Sequence, residues 1–440
     1  MDMNAAIAFT RFGLGRRRDE AVPADPRGWL LAQIDAPDPC PTTGMPSCAE
    51  ALGILWAFVQ ADKAMPKGDG QSAMFPEKQA FQAHVHGETM ALLANAIETP
   101  AGFRERLVWF WANHLTVAAV GRPAAACAGP YVREAIRPHV TGRFRDMLVA
   151  AILHPAMLSY LNQSGSVGPD SPAGERRRAG LNENLARECL ELHTVTPASG
   201  YSQADVTSFA RMLTGCTVEL KEEPRGFRFR PGMHEPGRQV VMGRDWPEGL
   251  AGVMAILRWL ADHPSTRHHL AVKLVRHFVA DAPGAEDVAR IEAALNDSDG
   301  DLGVAAKAVV ALPGAWRPLT KLRSPQDYVV AVMRAVGARP AMEPRLAGQI
   351  EHLGQKVFGA PFPIGWPDTA SDWAGPEALL QRADFAYQFS ARVTDQEPAE
   401  MGERSLGPLL GAETLAEIRR AGSRQDGLTL LLASPEFMRR

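Results

Sequence analysis

The segment NENLARECLELHTV, Asn182 to Val195, concentrates groups able to do acid–base chemistry. On a helix at 100° per residue, Glu183, Asn184, Arg187, Glu188 and Glu191 fall within an arc of about 140°. Leu185, Ala186, Cys189, Leu190 and Leu192 form the opposite, core-facing stripe. Glu188 and Glu191 are three residues apart, so their Cβ atoms stand roughly 5 to 6 Å from each other. Two carboxylates at that separation can share a proton, bind a metal or divide the roles of acid and base. The same residues also fit a solvated face, because Glu183 with Arg187 and Arg187 with Glu191 are favourable i,i+4 pairs. His193 falls on the apolar side. It follows Glu191 by two and Glu188 by five, which is not the Glu-x-x-His spacing of a carboxylate-bridged di-iron site.

A second candidate is the end of ERLVWFWANH, Glu105 to His114, where Asn113 and His114 follow a block of bulky aromatics. A terminal His that satisfies helix carbonyls is the plainer reading. His234 and Glu235, in GMHEPGRQ, sit on a Gly- and Pro-rich loop that can aim side chains freely; with His193 they could also bind a metal. His263, His268, His269 and His277 lie in or beside one helix, with no ligand between His269 and His277, and are expected to be structural or solvent-facing. No GxSxG elbow, HExxH, P-loop or strand-borne GxGxxG is present, so no cofactor or nucleotide site is identified. Five cysteines at irregular spacing contain no CxxC pair. Folding is therefore expected to need no structural metal.

The elements that must carry these residues are helical. Apolar residues recur at three- and four-residue spacing through most of the chain. This predicts helices over Glu77 to Glu98, Phe103 to His114, Arg143 to Leu153, Glu183 to Val195, Gln203 to Thr214, Leu250 to Asp262 and Ser265 to Ala280. Ser202 with Asp205 makes a capping-box start and Gly215 a stop. Cys216 to Leu220, Gly226 to Arg230 and Gln239 to Met242 break the pattern, which predicts a small β-hairpin or irregular β insert near 216–245. The fold class is mainly α: a large multi-helix, bundle-like body, read as a single helical domain over 1–440. Exposed linkers are expected near 64–76 and 163–180. The Pro-rich stretch from Ala360 to Trp373 is expected to be an ordered surface loop.

With 47 Lys plus Arg against 50 Asp plus Glu, the formal net charge is −3, which gives no reason to expect nucleic acid. No apolar run approaches the roughly 18 residues of a membrane span. The start, MDMNAAIAFTRFGLGRRRDE, has its basic residues after the apolar stretch and not before it, so a cytoplasmic location is expected.

Several segments together resemble a bacterial family catalogued as domain of unknown function 1800: AIAFTRFGLG, ERLVWFWANHLT, HPAMLSYLNQ, NENLARECLELHTV, GYSQADVTSFARMLTG, the FRF and HEPGRQ run, KLRSPQDYVV and SPEFMRR. The resemblance spans nearly the whole chain but implies no established reaction. It adds Asn182, Asp205 and Lys321 to the site, beside Asn113, His114, Glu183, Asn184, Arg187, Glu188, Glu191, His193 and His234. Related proteins often look exported, and many are encoded beside proteins similar to the alkaline phosphatase and sulfatase type, which implies a partner of that kind. This chain has His-Glu where the family favours His-Asp, and Gln239 where it favours Lys.

The resulting expectation is a hydrolase-like enzyme. Glu188 and Glu191 would act on an oxygen-rich substrate, Arg187 with His114 or His193 would orient it, and Asn113, Asn182, Glu183, Asn184, Asp205, His234, Glu235 and Lys321 would bind it. The alternative is a non-catalytic helical binding or scaffold protein that works with a partner.

Overall fold

The computed structural model describes residues 1–41, 44–65, 74–177, 180–339 and 343–440. Among them are 23 α-helical segments and two two-stranded antiparallel sheets, so the fold is mainly α with a small β insert. No helix among the described residues is long and apolar enough to cross a membrane.

Local signals set many helix ends. Ser202 and Asp205 form a reciprocal capping box on Gln203–Leu213, and Gly215 follows in the left-handed region at φ +83°. Pro325–Val336 starts under Ser324, whose hydroxyl accepts from Asp327 N, and stops at Gly337 with φ 71°. His263 caps Pro264–Phe278 by accepting from Ser265 N.

Three elements meet where the site lies: Gly102–His114, Pro264–Phe278 and Pro325–Val336. Aromatic packing holds the first two together. Phe12 lies 5.5 Å from Phe103 and 6.1 Å from Phe278, and those two rings lie 5.8 Å apart. Phe12 ends a π-helical turn, Ala8–Phe12, so the N-terminal segment is threaded through the core.

The β insert is two hairpins. Cys216–Glu219 pairs with Gly226–Phe229, Cys216 opposite Phe229, and Gln239–Val241 pairs with Arg244–Trp246, Gln239 opposite Trp246. The periodicity missed that last strand, which has three residues.

Two expectations need correction. Asn182 to Val195 is not one α-helix: an α-turn, Asn184–Glu188, passes into a π-helical turn, Cys189–His193. The extra residue per turn rotates everything after Glu188 away from the 100° projection. The stretch 163–180 is not an exposed linker throughout, because Gln163, Ser166, Val167 and Ser171 are buried and Pro172–Arg177 is a helix. Gly168 packs so closely on Glu235 that a Cβ there would stand 2.6 Å from its Cα. Of the other expected linker, residues 66–73 lie outside the described residues.

Candidate functional site

One helix carries most of the site. His269, Lys273 and His277 recur every four residues along Pro264–Phe278, Asp281 follows just beyond its end, and Arg276 lies beside His277. Four-residue steps stay on one face, and all five side chains line a cavity of about 510 Å³. The opposite wall is Gly102–His114, through Arg106, Trp109, Phe110 and Asn113. The Pro-rich stretch supplies the third wall, with Ile364, Trp366 and Asp368 from its loop and Trp373 from the short helix Ala370–Trp373, in which the stretch ends instead of staying a loop throughout as expected. This loop is pinned and does not merely cover the surface: Asn113 Nδ2 donates to Trp366 O at 2.9 Å, and Trp366 N donates to Asn113 Oδ1 at 2.7 Å. Gly365 sits between them at φ +86°, where a Cβ would come within 2.6 Å of Asn113 Oδ1 and 2.7 Å of Thr116 Oγ1, so only glycine fits without moving the chain.

Beneath the cavity lies a buried ionic network. Arg106 grips Asp327 through both oxygens, at 2.9 and 3.1 Å. Arg323 and Arg440 approach the same carboxylate, each at 3.2 Å. Burial pushes the Asp327 carboxyl up, and the three guanidinium groups more than offset it, holding it below the usual carboxylate range. Arg11 is buried among carbonyls: it donates to Phe278 O, Arg317 O and Arg440 O, each at 2.9 Å. Lys321 donates to Asp281 and, at 2.5 Å, to Asp368 O. Asp368 is the junction. Its Oδ2 lies 2.7 Å from His277 Nδ1, and its Oδ1 lies 3.7 Å from Arg440 and 3.9 Å from Lys321.

Cationic side chains outnumber acidic ones here: Arg11, Arg106, Lys273, Arg276, Lys321, Arg323 and Arg440 face Asp281, Asp327, Asp368 and the exposed Asp372, while Arg440 O accepts from Arg11 and from Lys321 N. Burial, then Arg440, Arg106 and Arg323, pull the Arg11 guanidinium down to about 9. Burial, then Arg106, does the same to Arg440, leaving it at about 10 against the pull of Asp327 and Asp368. Lys273 makes no hydrogen bond or ion pair to any described residue. Burial lowers its pKa to about 8, with Asp368 opposing and Arg276 reinforcing. A cation left unpaired in a low-dielectric wall is costly unless a ligand supplies the counter-charge.

His277 and Asp368 form a dyad. With Nδ1 donating to the carboxylate, the remaining lone pair is on Nε2, which is buried and has no partner among the described residues. Burial lowers the His277 pKa to about 4 against the pull of Asp368, so the ring is neutral near pH 7. The expectation that His269 and His277 are merely structural or solvent-facing is thus corrected for their position: both line the cavity. His268 is exposed and pairs with Glu292, and His263 is a helix cap.

The residues expected from sequence are scattered. Asn113 lines the cavity, Lys321 lies directly behind it, and Leu192 is the part of the Asn182 to Val195 segment that reaches its lining. His269 Nε2 bonds to Leu192 O at 3.1 Å and His114 Nε2 to His193 O at 3.2 Å, so three imidazoles cluster at that edge. His193 is fully buried, with both ring nitrogens lacking partners among the described residues. Glu188 and Glu191 stand outside the cavity. Burial, then Glu191, raises the Glu188 pKa, and Arg187 opposes this. Glu183 accepts from Arg187, Gln203 and Thr207. Asn182 caps Asn184 N at 2.9 Å, and Asp205 takes Ser202 N and Met242 N. The loop of His234 and Glu235 is not free. His234 Nδ1 donates to Thr214 O at 2.8 Å, its Nε2 accepts from Gly249 N at 2.9 Å, and Glu235 accepts from Asp170 N at 3.0 Å. Both side chains are buried, and neither lines the cavity.

A family model described as "Protein of unknown function (DUF1800)" matches residues 7–439. The chain belongs to that family. No curated protein and no solved structure matches it.

In this DUF1800 chain, sequence reasoning missed His269, Lys273, Arg276, His277, Asp327 and Asp368. A signal existed for three of them, His269, Lys273 and His277: charged and imidazole groups at four-residue spacing inside a helix whose other residues, such as Leu270, Leu274 and Phe278, are buried. Asp368 sits in a Pro-rich loop and carried none.

Proposed function

We propose that the cavity binds an organic anion with an apolar part, and that the protein is an acid–base enzyme of hydrolytic type acting on it. The observation that carries this reading is Lys273, an ammonium in the cavity wall that feels the charge of Asp368 but makes no hydrogen bond or ion pair with any described residue. An anionic group placed against it removes an electrostatic cost already present in the free protein. Trp109, Phe110, Trp366 and Trp373 supply apolar surface for the rest of the molecule. His277, held in one tautomer by Asp368, is the base that takes a proton from water once ligand entry relieves the burial that keeps its pKa at about 4, the Asp368 carboxylate then stabilising the imidazolium. Its Nε2 is shut from solvent in this conformation, so ligand entry must open a path to the ring. A phosphate or sulfate ester fits this chemistry and also the phosphatase- or sulfatase-like partner expected from the family resemblance.

A panel of organic carboxylates, phosphate esters and sulfate esters tests the reading by thermal shift. Expected is stabilisation by one anionic class, lost in Lys273→Met, and hydrolysis of a chromogenic member abolished by His277→Gln. Equal stabilisation by neutral analogues would contradict it. A second reading keeps the chemistry on Glu188 and Glu191, supported by the raised Glu188 pKa; activity surviving His277→Gln but lost in Glu188→Gln would favour it.

A further inference from the structure

Away from the cavity, four side chains with metal-binding atoms converge from separate elements. Cys48 opens the helix Cys48–Ala64, Cys127 lies on Arg122–Tyr131, Glu134 on the π-helical turn Val132–Ile136, and His154 precedes Pro155–Tyr160. Ligand atoms of Cys48, Glu134 and His154 all lie within 4.8 Å of one another. Cys127 Sγ lies 3.5 Å from Cys48 Sγ, and His154 Nε2 lies 3.5 Å from Glu134 Oε2. His154 is 7% exposed, and its Nε2 has no hydrogen-bond partner among the described residues.

Two of these separations, Cys48 to Cys127 and Glu134 to His154, come close to a known geometry. Two thiolates bound at about 2.3 Å to one tetrahedral zinc stand about 3.8 Å apart, and an imidazole nitrogen and a carboxylate oxygen bound at about 2.0 to 2.1 Å stand about 3.3 Å apart. The structure assigns a tetrahedral metal site to Cys48, Cys127, Glu134 and His154, with zinc as the ion whose donor preferences it fits. Two sulfurs, one nitrogen and one oxygen are too soft a set for magnesium or calcium. Four protein ligands leave no open position, so the role is structural: the ion ties the helix Cys48–Ala64 to Arg122–Tyr131 and Pro155–Tyr160. Cys127 is the ligand that must close in, since it stands beside Cys48 and not within the tight group of three.

Binding balances as one divalent ion in and two thiol protons out. The imidazole keeps its one proton but must carry it on Nδ1, where Ala156 N now approaches at 3.2 Å, so binding also gives up that helix cap. Glu134, with its side chain 40% exposed, is the route by which an ion reaches the two buried thiols. The ligands lie up to 106 positions apart in the chain, which is why no spacing motif announces them.

Cobalt(II) is the probe. The reduced full-length protein, stripped with a strong chelator, is titrated anaerobically with cobalt(II) and then zinc(II). Expected are saturation at one equivalent, a thiolate-to-cobalt charge-transfer band with the intense visible bands of tetrahedral cobalt, and displacement by zinc. Cys127→Ser should roughly halve the charge-transfer band and weaken zinc binding by at least about 100-fold, above the range for outer-shell changes. If Cys127→Ser does not fold, the wild-type spectra decide alone. Weak octahedral bands, no uptake, or a Cys48–Cys127 disulfide whose reduction still permits no uptake would each overturn the assignment.

Discussion

Replacing Lys273 by Met should stabilise the protein while it weakens anion binding. The pKa of Lys273 falls from 10.5 in the unfolded chain to about 8 in the folded one, chiefly through burial. That difference corresponds to about 3 kcal/mol against holding the ammonium in place. The side chain is only partly buried by surface area, and solvent screening reduces the recoverable part to roughly 1 to 2 kcal/mol. The sign follows from linkage. Between pH 10.5 and about 8 the unfolded chain holds a proton that the folded chain does not, so stability falls as pH falls through that window and the full penalty persists below it. Met has similar length, fills the same volume and carries no charge. Urea melts at pH 7 should therefore place Lys273→Met above wild type by roughly 1 to 2 kcal/mol, with the gain shrinking as pH approaches 10.5. In saturating ligand the order should reverse, since only wild type gains the binding term. A loss of stability at pH 7 would refute the reasoning, because it would mean that the ammonium supports the fold.

Asp327→Asn should cost about 3 to 5 kcal/mol by denaturant melt, because it leaves the buried Arg106, Arg323 and Arg440 without their shared carboxylate; a loss under 1 kcal/mol would contradict this. His269 and His277 titrate at about 4 and His193 at about 3, all chiefly through burial. The unfolded chain binds those protons first, so the melting temperature should drop as pH falls from about 6.5 to about 4, each such ring withdrawing up to about 3 kcal/mol. A flat profile through that window would show the rings to be solvated. Glu188→Gln should leave stability unchanged or raise it by up to about 1 kcal/mol, since it removes repulsion with Glu191; a clear loss would mark that carboxylate as part of a structural network. Gly365→Ala should displace the Trp366 loop and cost about 1 to 3 kcal/mol, from the positive φ and the contacts to Asn113 and Thr116, with ligand stabilisation lost alongside; unchanged ligand binding would remove the loop from the site.

Helices were legible where a single apolar face dominates. Leu250–Asp262 falls where the spacing puts it, and Ser202 with Asp205 caps Gln203–Leu213 as their types require. Legibility failed where the backbone leaves the 3.6-residue period. At Cys189–His193 the turn gains a residue, and no apolar pattern of ordinary helices encodes that. The site was harder still. Glu188 and Glu191 drew attention because they cluster in sequence, whereas the cavity's groups cluster only in space: Arg11 reaches Arg440 O across 429 positions, and Arg106 reaches Asp327 across 221. His234 looked free because loops usually are, yet its two nitrogens are taken by Thr214 and Gly249. Lys321 was reached only through the family resemblance, and its neighbours Asp281 and Asp368 were not.

The chain has only eight lysines, so the most direct test of the anion-binding account is an NMR titration of Lys273 after reductive methylation with a carbon-13 label, assigned by comparison with Lys273→Met. The account predicts one ammonium titrating near pH 8 in the free protein and moving upward when an organic anion binds. A Lys273 signal titrating at its ordinary value, and unmoved by every anion that stabilises the protein, would contradict it.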